Sequence, residues 1–263
     1  NYMLSFKSTG TAGKTVGVKI EKLTSPNTAV LNATVNVGED AELPFSVTDG
    51  WGEYKLTMTR PAASDAITIT NLVITQTGDP TEDYLPIANT ADWENFSMMV
   101  KNGVSPLNAK LTADVDAGST MVGTSANPYQ GIFDGAGYTL TFTYNGTEQF
   151  AAPFQYVNAA TISDLKTTGS ITTTNNQCGG IIGKNTGGNT TLNRCMSSAT
   201  IESKTSGNGR AGGLAGRCTD GTLTFNYCMY DGKIICEGVQ GASGFVGYHA
   251  GDNASVTINH CTS

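Results

Sequence analysis

The chain of 263 residues carries 15 Lys and Arg against 22 Asp and Glu, a net charge of −7, and only 14% of its residues are charged. With no basic excess to neutralise phosphates, the composition argues against nucleic acid as a partner. No run of about 18 apolar residues is present, so no segment reads as a membrane-spanning helix.

In chain order, residues 1–78 show apolar side chains alternating with polar ones at Leu4/Phe6, Val16/Val18/Ile20, Val35/Val37, Tyr54/Leu56/Met58 and Ile67/Ile69, with turn residues between the runs. This period of two predicts an antiparallel β-sandwich segment. The opening residues Asn1-Tyr2-Met3-Leu4-Ser5-Phe6 lack a charged region, an apolar stretch and a cleavage site. No export signal is visible in them, and the chain reads as a processed product or a fragment. The polar run Gly78-Asp79-Pro80-Thr81-Glu82-Asp83 predicts a linker, placed at 79–86.

The segment Asn89 to Gly103 predicts one amphipathic helix, at about 91–101. Thr90 is the expected N-cap, Asp92 and Glu94 fall in the first turn, and Trp93, Phe96 and Val100 share a face. Lys101 lies in the last turn, and Asn102-Gly103 ends it. Such a helix suits the open end of a solenoid, which otherwise exposes apolar interior and unpaired strand edges.

The region from 87 to 263 is repetitive. Gly179-Gly-Ile-Ile-Gly-Lys184, Gly212-Gly-Leu-Ala-Gly-Arg217 and Ser243-Gly-Phe-Val-Gly-Tyr248 are three copies of one unit. A second anchor, Leu192-Asn193-Arg194-Cys195, Phe225-Asn226-Tyr227-Cys228 and Ile258-Asn259-His260-Cys261, recurs every 33 residues. Each unit holds three short strands that cannot bury their apolar side alone. Equivalent strands must therefore stack about 4.8 Å apart around a shared interior, which is a parallel β-helix in an all-β fold.

The expected inward columns are Ile181/Leu214/Phe245, Leu192/Phe225/Ile258, Cys195/Cys228/Cys261 and Ile171/Ile201/Ile234, with Gly183, Gly216 and Gly247 at tight contacts. Asn193, Asn226 and Asn259 are expected to form a hydrogen-bonded ladder. Leu111 is expected to open the series, followed by degenerate coils at 131–140 and 160–165. The chain stops two residues after Cys261 with no capping pattern, which predicts that the natural chain continues or that a partner covers the edge.

These repeats, Gly-Gly-(Ile/Leu)-x-Gly and Asn-x-Cys, resemble the GLUG-type right-handed β-helix repeats of bacterial cell-surface proteins, over about residues 87 to 263, and the resemblance implies a right-handed parallel β-helix. The N-terminal run, with Tyr2-x-Leu-x-Phe6, Trp51-x-x-Tyr54-x-Leu-x-Met58 and Ile67-Thr-Ile-Thr-Asn-Leu-Val-Ile74, is similar to the later strands of galactose-binding-like carbohydrate-binding modules and lacks their opening strands. Both resemblances imply an extracellular or cell-surface setting. Neither fixes an activity, since β-helices serve adhesins, stalks and polysaccharide-active enzymes alike.

Candidate sites follow from the same columns. The three stacked cysteines read as reduced, packed thiols, and no C-x-x-C pair is present for zinc; Cys218, His249 and Asn185 offer too few ligands. Asp114, Asp116 and Asp134 read as turn and edge hydrogen-bond acceptors rather than a catalytic pair. No catalytic residue, metal or cofactor is expected. The expected ligand-binding residues are Trp51 and two outward rows, Arg194/Tyr227/His260 with Asp164 before them, and Lys184/Arg217/Tyr248. A Trp just before an alternating strand is more often a core anchor, and residues such as those of the rows more often cover neighbouring strands.

The resulting expectation is a non-enzymatic binding or adhesion protein whose partner is a polysaccharide, a surface glycan or a surface protein. A fragment of a β-helix polysaccharide lyase or glycoside hydrolase, and a structural stalk or spacer, stay open as alternatives.

Overall fold

The computed structural model describes residues 2–23, 28–45, 54–76, 84–205, 207, 209–237 and 241–263. The chain divides into two units, Asn1–Asp83 and Tyr84–Ser263.

Among the described residues the first unit has six antiparallel strands: β1 (Tyr2–Gly10), β2 (Thr15–Lys22), β3 (Thr28–Asn36), β4 (Asp40–Phe45), β5 (Tyr54–Thr59) and β6 (Ile67–Gln76). They form two three-stranded sheets in the orders β4-β1-β6 and β3-β2-β5. The alternation seen in sequence sets the faces, because successive side chains point to opposite sides of a strand. Leu4, Phe6, Val16, Val18, Ile20, Val35 and Ala41 are buried, with Leu43, Leu56, Met58, Ile67 and Ile69 packed against them.

The second unit is a parallel β-solenoid of about four turns with one helix. One sheet stacks Leu85–Ile87, Ala109–Leu111, Ile132–Asp134, Thr161–Ser163, Asn189–Asn193, Gly221–Asn226 and Ala254–Asn259. Another stacks Phe154–Val157, Ile182–Asn185, Ala215–Cys218 and Val246–His249, and further parallel strands complete the coils. The inward columns are in register: Leu192 faces Phe225 and Phe225 faces Ile258, and Ile171, Ile201 and Ile234 align likewise. Burial falls along each column toward the last coil, from 0% exposure at Leu192 and Phe225 to 47% at Ile258.

Gly183 and Gly216 are needed for close approach. A Cβ on Gly183 would collide with the Phe150 carbonyl oxygen and lie 2.6 Å from that of Gln155; one on Gly216 would lie 2.6 Å from the Gly183 carbonyl oxygen and 2.9 Å from that of Gln177. Backbone of neighbouring strands and of the segments that connect them therefore lies directly against these positions, a contact that only glycine permits.

Helix α1 (Thr90–Lys101) buries Trp93, Phe96, Ser97 and Val100. Trp93 meets Phe154 edge-on at 5.6 Å and Phe133 at 6.0 Å, and Phe96 meets Tyr129 at 5.4 Å, arrangements favoured by aromatic quadrupoles. Both polar atoms carried inward are satisfied: Trp93 Nε1 donates to the Thr120 carbonyl at 2.8 Å and Ser97 Oγ to that of Met121 at 2.6 Å.

Two boundaries differ from the sequence expectation. The N-cap is Asn89, whose Oδ1 accepts from the Asp92 amide at 3.1 Å, while Asp92 Oδ2 accepts from the Ala88 amide at 2.9 Å. Thr90 instead starts the helix and donates its hydroxyl to the Asp116 carbonyl at 2.7 Å. The solenoid opens before Leu111, because the strand Leu85–Ile87, whose first two residues are expected in the linker, pairs in parallel with Ala109–Leu111. Leu85 and Ile87 are buried in the solenoid core.

Candidate functional site

The sheet carrying Asn193, Asn226 and Asn259 ends at a one-residue corner. The next residue in each coil, Asp164, Arg194, Tyr227 and His260, has a left-handed backbone with φ of 53°, 52°, 55° and 53°. For side chains other than glycine this costs on the order of 1 kcal/mol per residue and needs compensation.

The compensation is visible on both sides of the corner. Asp164, Arg194 and Tyr227 each donate a backbone amide to the carbonyl of the asparagine one coil further on, all at 2.9 Å. The asparagine side chains form the ladder, with Asn226 Nδ2 donating to Asn193 Oδ1 at 2.8 Å and Asn259 Nδ2 to Asn226 Oδ1 at 2.9 Å.

The corner residues thus form one outward row. Arg194 grips Asp164 through Nε at 2.7 Å and Nη2 at 2.6 Å, and its guanidinium holds the Asp164 carboxyl below the usual carboxylate range. The next two members stack: the Tyr227 and His260 rings lie 5.0 Å apart at 11°, and Tyr227 is 63% exposed. The structure brings Arg194, Tyr227 and His260 together as one outward row, polar at one end and aromatic at the other.

The second expected row is also brought together, but differently clothed. Tyr156, Lys184, Arg217 and Tyr248 are in register on adjacent strands, and each is half-buried. Lys184 Nζ lies 5.3 Å from the Phe150 ring centroid. The guanidinium groups of Arg210 and Arg217 lie 3.6 and 5.2 Å from the Tyr248 ring centroid. Arg217 Nη1 donates to Gln177 Oε1 at 3.2 Å, while its buried Nε has no hydrogen-bond partner. Burial first, and the adjacent Arg217 charge second, lower the Lys184 pKa.

Sequence reasoning missed Tyr156, Phe150, Gln177 and Arg210 in this cluster. Tyr156 precedes Lys184 by 28 residues rather than 33, and the other three lie outside the repeat anchors. The register of Phe154 with Ile182 is the signal that finds Tyr156. Trp51 lies outside the described residues.

The remaining candidates are occupied by local structure. Asp114 Oδ1 accepts from the Thr139 amide at 2.7 Å, Asp116 Oδ1 from Gly118 at 2.9 Å and Asp134 Oδ1 from Ala136 at 2.8 Å. Asp134 also pairs with Lys110 at 2.9 Å. All six cysteines are free. Cys195 and Cys228 have their Sγ 3.3 Å from the Ile162 carbonyl oxygen and 3.4 Å from that of Leu192. Asn185, Cys218 and His249 do align. Asn185 Nδ2, however, donates to the Asp220 carbonyl at 3.1 Å, and His249 Nε2 lies 2.8 Å from that of Ala254.

Comparison with protein-family models, with curated proteins and with solved structures gives no match.

Proposed function

We propose that this chain is an extracellular or cell-surface binding protein whose solenoid recognises glycans through the corner row Arg194–Tyr227–His260. The observation that carries the reading is the Tyr227–His260 stack, an exposed aromatic shelf on a left-handed corner. A sugar ring presents an apolar CH face suited to an aromatic surface and hydroxyls suited to nearby donors. Tyrosine supplies such contact area at low conformational cost, and a ring already held by its neighbour loses less on binding. Arg194 spends two N–H groups on Asp164 and retains others of its five for hydroxyls. The likeness of the repeats to GLUG-type surface proteins supports the cell-surface part of the reading.

The test is native electrophoresis of the purified chain through gels containing xylan, mannan, mixed-linkage glucan, pectin or mucin. Retardation by one glycan, lost on Tyr227→Ala, supports the proposal. Retardation lost only on Trp51→Ala assigns binding to the first unit and contradicts the corner row. No retardation across the panel contradicts the glycan reading.

A further inference from the structure

We infer that the half-buried cluster of Lys184, Arg210 and Arg217 is an anion site that takes the carboxylate or sulfate group of an acidic saccharide. The saccharide part of this inference rests on the glycan reading above; the anion part rests on the cluster itself.

Three observations carry it. First, the chain has more acid than base, and among the described residues Lys7, Lys14, Lys19, Lys110, Arg194 and Lys204 each lie within 4.0 Å of a carboxylate. Lys184, Arg210 and Arg217 have no such partner. Second, Lys184 and Arg217 stand opposite one another on paired strands, where like charges are destabilising unless an anion lies between or above them. Burial first and that crowding second lower the Lys184 pKa, with the Asp220 carboxylate acting the other way. Third, Arg217 Nε is withdrawn from water with no acceptor, a cost that an oxyanion against the guanidinium edge would offset.

The cluster is also held in place before any ligand arrives. The Tyr248 ring carries the guanidinium groups of Arg210 and Arg217, Gln177 fixes Nη1 of Arg217, and Phe150 sits beside the Lys184 ammonium. Cation–π contacts of this kind orient the donors without neutralising them. Tyr156 stands at the end of the row away from Tyr248 and, only half-buried, supplies aromatic surface for a sugar ring beside its charged group. A net charge of −7 opposes non-specific attraction of polyanions, so retention of one reports the local cluster.

The experiment uses the full chain and matched pairs of polymers in affinity gels: de-esterified against methyl-esterified homogalacturonan, and dextran sulfate against dextran. The expected result is retardation by one polyanion well beyond its neutral counterpart, weakened roughly tenfold or more by Lys184→Gln and by Arg217→Gln. The homogalacturonan and dextran arms tell carboxylate from sulfate. Thermal unfolding checks that each variant is folded, and Arg210→Gln, outside the paired strands, decides the matter if the other two fail to fold.

Tyr227→Ala separates the two proposals. Preference for the polyanion that survives Tyr227→Ala but not the cation variants upholds the anion site, whether or not the corner row binds. Retardation by neither polyanion, or retardation unchanged in all cation variants, overturns the anion site and leaves the corner-row reading to its own test.

Discussion

The Asn226 side-chain amide donates to Asn193 Oδ1 at 2.8 Å, and the same side chain accepts from Asn259 Nδ2 at 2.9 Å. Asn226 is therefore the middle rung of a ladder that ties three coils together at the corner where the backbone turns left-handed. Removing the middle rung breaks two hydrogen bonds, and removing an end rung breaks one. At about 1 kcal/mol net per bond, Asn226→Ala is expected to lower unfolding free energy by about 2 kcal/mol and Asn259→Ala by about 1 kcal/mol. Urea titrations of the two variants check the ratio.

Gly183 lies where a Cβ would strike backbone oxygen, whereas the nearest atom to a Cβ on Gly187 is Asn158 Oδ1 at an ordinary 3.6 Å. Carbonyl oxygens of a neighbouring coil cannot swing away as a flexible side chain can. Gly183→Ala is expected to destabilise the solenoid by about 2–3 kcal/mol, the range of an overpacked core. Gly187→Ala is expected to stay within ~0.5 kcal/mol of the parent. Thermal and urea unfolding of both variants test the contrast.

The Asp164–Arg194 pair predicts a specific acid response. Arg194 holds the Asp164 carboxyl below its ordinary 3.8, so the folded chain binds this proton less readily than the unfolded one. The stabilisation is present above pH 3.8 and is lost as pH falls through the lower folded value. The urea midpoint of Arg194→Gln should therefore differ from the parent above pH 3.8 and converge with it as the pH falls below the lowered folded value. A difference that persists at the acid end would show that the pair is not its source.

The thiols should differ sharply in reactivity. Burial pushes Cys178 up to about 12, leaving roughly one part in ten thousand as thiolate at pH 8. Cys236 is only partly buried. Mass-spectrometric mapping of iodoacetamide labelling at pH 8 should find Cys236 modified in the native chain well before Cys178 or Cys195. In denaturant all six cysteines should titrate as free thiols; fewer would mean a disulfide.

The 33-residue recurrence of Asn-x-Cys made the columns legible, because a residue at a fixed place in a repeat must lie over its equivalent in the next coil. Leu192 over Phe225 and the amide ladder both follow from that rule. The helix start was less legible. Asn89 and Thr90 are both good caps by type, and the choice between them turns on a bond from Thr90 to Asp116, 26 residues away. The row Lys184/Arg217/Tyr248 follows from the sequence, but not its half-burial: Phe150 comes from a connecting segment, and Gln177 and Arg210, although 33 residues apart and aligned, lie just before the repeat anchors. The left-handed corner was equally hidden: Arg194, Tyr227 and His260 adopt a backbone usually given to glycine or asparagine, so side-chain type gave no warning.

The measurement that tests the central claim most directly is a glycan array probed in parallel with the parent chain, Tyr227→Ala and Tyr227→Phe. The account predicts that at least one glycan binds the parent, that Tyr227→Ala lowers its signal roughly tenfold or more, and that Tyr227→Phe, which keeps the ring, restores most of it. A glycan signal that Tyr227→Ala leaves unchanged, or an array on which the parent binds nothing, would contradict it.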